Sequence, residues 1–250
     1  MLRRLFSKLL LDPSDVEPTR ADLEVVSAFN PGVILDPRTN ETIFLVRIAE
    51  RPRDALADPV SLPRWVDGEI VIDLVPQSDV EIIDPRVVRI RSTGTLRLTF
   101  ASHVRVYRSR DGKEIDPSRH QTFAPEGELE TFGVEDPRIT HLEGRFWITY
   151  VSVSKHGAST SLAVTDDFRT YERLGVIFPP ENKDVLLFPE RIDGDYVAIH
   201  RPNPSTHFSP PEMWIARSPD LIHWGRHEFF LGSEARWEQG RIGGGAPPLR

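Results

Sequence analysis

Apolar and polar residues alternate along most of this chain with a period of two. GRFWITYVSVS (144–154) alternates apolar and polar side chains, as in a strand with one face on a core and the other in water. SLAVTDDFRTYERLG (161–175), GDYVAIHRP (194–202) and MWIARSPDLIHWGRHEFF (213–230) continue in the same manner, punctuated by Gly, Pro and Asp. Sustained helical periodicity is absent. The one helical signal is the basic, amphipathic MLRRLFSKLLLDP, predicted as a short helix closed by Asp12-Pro13 within an N-terminal arm of residues 1–25.

The strands repeat. Ala163-Val164-Thr165-Asp166-Asp167-Phe168-Arg169-Thr170-Tyr171 and Ala216-Arg217-Ser218-Pro219-Asp220-Leu221-Ile222-His223-Trp224 agree in alanine, hydroxyl, turn aspartate, apolar residue and closing aromatic. Asp84-Pro85-Arg86-Val87 with TLRLTFAS (95–102) resembles Asp136-Pro137-Arg138-Ile139 with FWITYVS (146–152), and AFNPGV (28–33) with TIFLVRIAE (42–50) is a fainter copy. A unit of about fifty residues made of short strands and tight turns is the size of one four-stranded propeller blade. Such a unit cannot bury both its faces alone, so neighbours stack around an axis. The sequence therefore predicts an all-β propeller over residues 26–250, with blades starting near 28, 82, 134 and 186. A fifth would start near 236 and be incomplete at Arg250.

Composition narrows the function. The chain has 250 residues, no cysteine and a net charge of −7. Disulfides and thiolate metal sites are excluded, and a reducing, cytoplasmic setting is expected. The acidic balance argues against a nucleic-acid groove, and no apolar run is long enough for a membrane span. The eight histidines are scattered without ligand spacing, so no metal or other cofactor is expected. The arm offers a surface on which a second copy could pack, making a homo-oligomer an expectation.

Asp-Pro-Arg occurs at 36–38, 84–86 and 136–138. Proline is tolerated at the first residue of a strand, where no ladder hydrogen bond is lost. Asp36 and Asp84 read as structural turns. Asp136, preceded by Glu135 in GVEDPRIT, reads as an acid facing a central channel.

GVEDPRIT, taken with AFNPG (28–32), NKDVLLFPERIDGDYVAIHRP (182–202), SPDLIHW (218–224) and RIGGGAPP (241–248), resembles glycoside hydrolase family 130 of β-mannoside phosphorylases and β-mannosidases. The resemblance implies a five-bladed β-propeller and an inverting reaction on a β-mannoside, with Asp136 as proton donor. It implies that inorganic phosphate, as co-substrate, is held by Lys183, Arg201 and Arg241, the last standing where many members have lysine. Asn30, Arg47, Glu135 and Arg138 are then expected to contact sugar or to support the acid. Phosphate arrives as an anion, so cations can replace the second carboxylate that inverting hydrolysis uses to activate water. The expected activity is phosphorolysis of β-mannosides to mannose 1-phosphate. The alternatives are an inverting β-mannosidase of the same family and a truncated, non-catalytic sugar-binding propeller. The Tyr-His-Gly stretch that family members carry further on does not occur in these residues.

Overall fold

The computed structural model describes residues 6–203 and 210–249. Its strands are β1 (Leu23–Asp36), β2 (Glu41–Pro52), β3 (Val60–Val66), β4 (Glu69–Val75), β5 (Val80–Asp84), β6 (Val87–Ile90), β7 (Leu96–Leu98), β8 (Ala101–Ser109), β9 (Gln121–Phe123), β10 (Gly133–Leu142), β11 (Arg145–Ser154), β12 (Gly157–Thr165), β13 (Glu172–Phe178), β14 (Asn182–Leu187), β15 (Tyr196–Pro202), β16 (Met213–Ser218) and β17 (Gly225–Leu231). Short 3-10 turns are the only helical elements among the described residues.

Three four-stranded antiparallel units carry the fold. β10 to β13 and β14 to β17 are meanders in chain order, while β1, β2, β8 and β9 form the first unit. The first two join at a single parallel pair, Gly133 with Ser102, which unites their strands in one sheet. Gly133 has φ +124°, and a Cβ there would meet the Ser102 carbonyl oxygen at 2.4 Å, so only glycine permits the junction.

Two of the expected blades take another form. The chain between β2 and β8 folds into the β3–β4 hairpin and the three-stranded β5–β7 sheet, an insertion within the first unit. The segment near 82 therefore starts no four-stranded unit. TLRLTFAS is divided: β7 pairs with β6, the Thr99 amide donates to the Arg86 carbonyl at 3.0 Å, and from Ala101 the chain pairs with β2. Near 236 the described residues hold only the 3-10 turn Arg236–Glu238 and no strand of a further unit.

The predicted repeat of turns is present in atomic detail. Asp167 Oδ1 accepts from the amides of Arg169 (2.8 Å) and Thr170 (3.0 Å), and Asp220 Oδ1 from those of Ile222 (3.0 Å) and His223 (2.8 Å). The next residues, Phe168 and Leu221, both take positive φ and are buried. Tyr171 and Trp224 close the turns by donating to the carbonyls of Phe168 (3.0 Å) and Leu221 (2.8 Å).

The alternation, however, does not mark a wet face. β11 is buried nearly throughout, including the polar Thr149 and Ser152. One hydroxyl from each of β10, β11 and β12 faces the neighbouring unit. Thr140, Thr149 and Thr160 donate to the carbonyls of Leu187 (3.2 Å), Val185 (2.6 Å) and Asn182 (3.0 Å) in β14. The polar half of the pattern thus satisfies the open edge of the next sheet. Between the units lie two apolar layers. One sets Ile43, Leu45 and Val104 against Val134, Phe146 and Ile148; the other sets Leu142, Leu162 and Phe178 against Val185, Leu187 and Ala216.

The arm differs from expectation. Residues 6–12 have no helix, and the first ordered turn is the 3-10 segment Pro13–Asp15, capped by Asp12 accepting from the Ser14 amide at 3.0 Å. Residues 1–5 of the predicted helix lie outside the described residues. Leu11 and Val16 are spent on this chain's own Phe44, Val46, Ile48 and Tyr107.

Candidate active site

Each four-stranded unit interrupts its first strand at the same place. β1 has a bulge between Phe29 and Gly32, β10 between Glu135 and Arg138, and β14 between Lys183 and Leu186. The residue after the last regular pair is left-handed in all three: Asn30 (φ 45°), Asp136 (φ 49°) and Asp184 (φ 55°). Asn and Asp are the non-glycine residues that tolerate this region best. A bulge re-aims a side chain. Here three of them turn Asn30, Asp136 and Asp184 into one cavity of about 640 Å³.

All eight residues singled out in the sequence, Asn30, Arg47, Glu135, Asp136, Arg138, Lys183, Arg201 and Arg241, line this cavity. Asp136 Oδ1 accepts from Asn30 Nδ2 at 2.9 Å and from Arg47 Nη1 at 3.0 Å. Among the described residues no donor reaches Oδ2. Arg47 also donates to Glu135 Oε1 and, through Nε, to Ser102 Oγ at 3.1 Å, while its guanidinium lies 4.6 Å from the Phe29 ring centre. Glu135 is buried, and this desolvation raises its pKa against the opposing pull of Arg47 and Lys183.

The opposite wall is cationic. Arg201, buried at the position facing Lys183 across β14 and β15, donates through Nε (3.0 Å) and Nη2 (2.8 Å) to Asp184 Oδ2 and through Nη1 to Asn203 Oδ1 (3.1 Å). Lys183 and the exposed Arg241 have no ion pair among the described residues. Arg138 Nη2 stands 3.9 Å from Asp184, and its buried Nε has no partner among the described residues. Arg86 also reaches the cavity from the insertion. Among the described residues six guanidinium or ammonium groups thus surround three carboxylates, all of them already paired, Glu135 and Asp136 with Arg47 and Asp184 with Arg201. The excess suits an anionic ligand.

The other Asp-Pro-Arg copies behave as turns. Asp36 Oδ1 accepts from the Arg38 amide at 2.9 Å and Asp84 Oδ1 from the Arg86 amide at 2.7 Å, and neither aspartate has positive φ. Lys183 pairs with neither Asp184 nor Glu181, since Asp184 takes Arg201 and Glu181 takes the Ala158 amide at 2.9 Å. His200 is absent from the cavity wall; it stacks on Phe178 and bonds Asn182 and His227, each at 3.0 Å. Burial pushes its pKa down to about 4.

Sequence reasoning passed over Asp184, Phe29 and Phe100. Asp184 was legible: stacking AFNPG, VEDPR and NKDVL places Asn30, Asp136 and Asp184 in one column. The aromatic wall comes from Phe29 and Phe100 rather than from Trp147, Phe188, Tyr196, Trp214 or Trp224, none of which lines the cavity. Phe100 lies at the seam between insertion and unit, where no periodicity marks it.

A β-sheet scaffold that sets a carboxylate and unpaired cations around one polar cleft defines a protein for polar, anion-accompanied ligands. Residues 85–250 match the pattern of glycoside hydrolase family 130, described as beta-1,4-mannooligosaccharide phosphorylase. The chain is 36% identical over 248 residues to the beta-1,2-mannobiose phosphorylase of Listeria innocua, covering 96% of this chain and 69% of that enzyme. The solved structure of the Listeria innocua enzyme with beta-1,2-mannobiose superposes with a TM-score of 0.84, at 35% identity over 95% of this chain and 69% of that one. A beta-1,4-mannooligosaccharide phosphorylase of Ruminococcus albus is 37% identical over 114 residues, 46% of this chain and 34% of that enzyme. The chain belongs to glycoside hydrolase family 130.

Proposed function

We propose that this protein is an inverting β-mannoside phosphorylase, converting a β-mannoside and inorganic phosphate to mannose 1-phosphate and a shortened acceptor. The observation that carries the reading is the division of one cavity into an acid wall and a cation wall. Asp136 is the proton donor: Asn30 and Arg47 hold Oδ1, and Oδ2 is left to face the glycosidic oxygen, directly or through a sugar hydroxyl. Lys183, Arg201 and Arg241 hold phosphate for attack on the opposite face of the anomeric carbon. Arg201 is buried and braced by Asp184, so its remaining N–H groups are fixed in direction, while Lys183 and Arg241 supply unpaired charge. Phe29 and Phe100 offer an apolar face to the sugar ring, with Glu135 and Arg138 supporting the acid.

The cation wall argues against hydrolysis. Inverting hydrolysis needs a second carboxylate free to deprotonate water. Glu135 is buried against Arg47 and Asp184 is held by Arg201, so neither is free for that task. The relatives named above are phosphorylases, in keeping with this choice. The three four-stranded units are read as blades of the family's five-bladed propeller, since each turns its first-strand bulge to one axis. The absence of cysteine fits a cytoplasmic place of work.

The test is mannose 1-phosphate formation from β-1,2- and β-1,4-mannobiosides with and without phosphate. Phosphate-dependent product is expected, and Asp136→Asn should lower kcat by about 10²- to 10⁴-fold, the usual contribution of a general acid. Free mannose formed equally without phosphate would overturn the reading.

A further inference from the structure

A second cavity, of about 730 Å³, opens off the first, and the two share Val87, Leu98, Val153 and Lys183. One wall is the β6–β7 turn, with Thr93 and Thr95; the other is the β11–β12 turn, with Lys155 and His156. Asn30, Arg47 and Asp136 do not line it. The groove therefore meets the site at the phosphate end, away from the acid and the aromatic wall.

The balance of its charge is positive. Arg97, Lys155 and Lys183 line it against the single carboxylate of Glu181. Arg97 is matched by Asp73 at 3.0 Å, and Glu181 directs Oε1 to the Ala158 amide. Lys155, exposed at the tip of its hairpin, and Lys183, at the inner end, have no ion pair among the described residues. A cleft lined by unpaired cations concentrates anions.

We propose that this groove is an anion passage through which inorganic phosphate reaches Lys183, separate from the mouth that admits the sugar. The proposal rests on the phosphate reading of Lys183. Inverting attack requires the nucleophile on the face opposite the leaving group. A mannoside seated against Asp136 fills the cavity in front of the cations, so phosphate sharing its mouth would have to pass it. A passage ending at Lys183 delivers phosphate to the far face with the sugar in place.

Two variants test this in the full chain. Lys155→Glu should raise the KM for phosphate on the order of fivefold at low ionic strength, the effect fading as salt is added, with the KM for the mannoside unmoved. His156→Trp, which narrows the groove, should slow phosphate exchange measured by ³¹P line broadening with a mannoside seated in an Asp136→Asn background, while leaving phosphate affinity unchanged. A phosphate KM in Lys155→Glu equal to that of the native chain, or an equal rise in the mannoside KM, would overturn the passage. If the native chain binds phosphate but turns over no mannoside, the exchange measurement alone decides, and unaltered exchange in His156→Trp sinks the proposal. If the native chain binds no inorganic phosphate, the phosphate reading fails first and the passage with it.

Discussion

At Asp36 and Asp84 the carboxylate curls back to the amide two residues on; at Asp136 a φ of 49° swings it toward Asn30 and Arg47. The tripeptide is the same in all three, so the distinction lies in what surrounds the backbone. Glu135 beside Asp136 was the visible hint, and its own role is now plain: buried, it fixes Arg47, which in turn holds Asp136. Removing one member of such a pair leaves an uncompensated buried charge. Arg47→Met should cost about 3–5 kcal/mol of stability, and Glu135→Gln added to it should restore much of that loss; urea titration of both variants checks the pair. The pH dependence has a definite sign. Burial already raises the pKa of Glu135 in the folded state, and losing Arg47 raises it further. The folded chain then holds a proton that the unfolded chain releases above about 4.5, so the loss in Arg47→Met should grow as pH rises from there.

The bulges belong to the elements. Sequence periodicity finds strands but says little about where a ladder skips, and the three skips became readable only once the strand partners were known. Their residue types do carry a trace, because Asn and Asp sit where a left-handed backbone is required. The same logic gives a test at Asn30. Asn30→Gly and Asn30→Ala both lose the bond to Asp136, yet glycine suits φ 45° and alanine does not. The glycine variant should be the more stable by about 1 kcal/mol, read from paired thermal or urea unfolding, while both lose activity. The blade expected near 82 failed for a related reason: Asp-Pro-Arg and alternating residues recur in the insertion, but the ladder there closes on β6 and β7.

In the whole molecule, units are held by layers that the alternation only half reveals. Its apolar positions form the two inter-unit cores, and its threonines satisfy β14 carbonyls from the neighbouring unit. Buried histidines add a dependence on acidity. His200 and His103 are held neutral by burial, with pKa values pushed down to about 4 and about 3. The unfolded chain binds protons near 6.5 that the folded chain refuses, so their contribution is full above 6.5 and is lost as pH falls toward those values. Relative to His200→Gln, the native chain should lose up to about 1.4 kcal/mol per pH unit between 6.5 and 4, measured by urea unfolding at each pH. Opposite changes from Glu50 and Glu135 cancel in that comparison.

Gly32 closes the β1 bulge, and a Cβ on it would meet the Pro137 carbonyl oxygen at 2.8 Å. Two strands that share no ladder are therefore spaced by the missing methyl of one residue. Asn30 stands on one side of that gap and Asp136 on the other, 2.9 Å apart. Gly32 is a spacer gauge: the separation of Asn30 from Asp136 is written in a residue that has no chemistry of its own, and a single added carbon would open the jaws of the site.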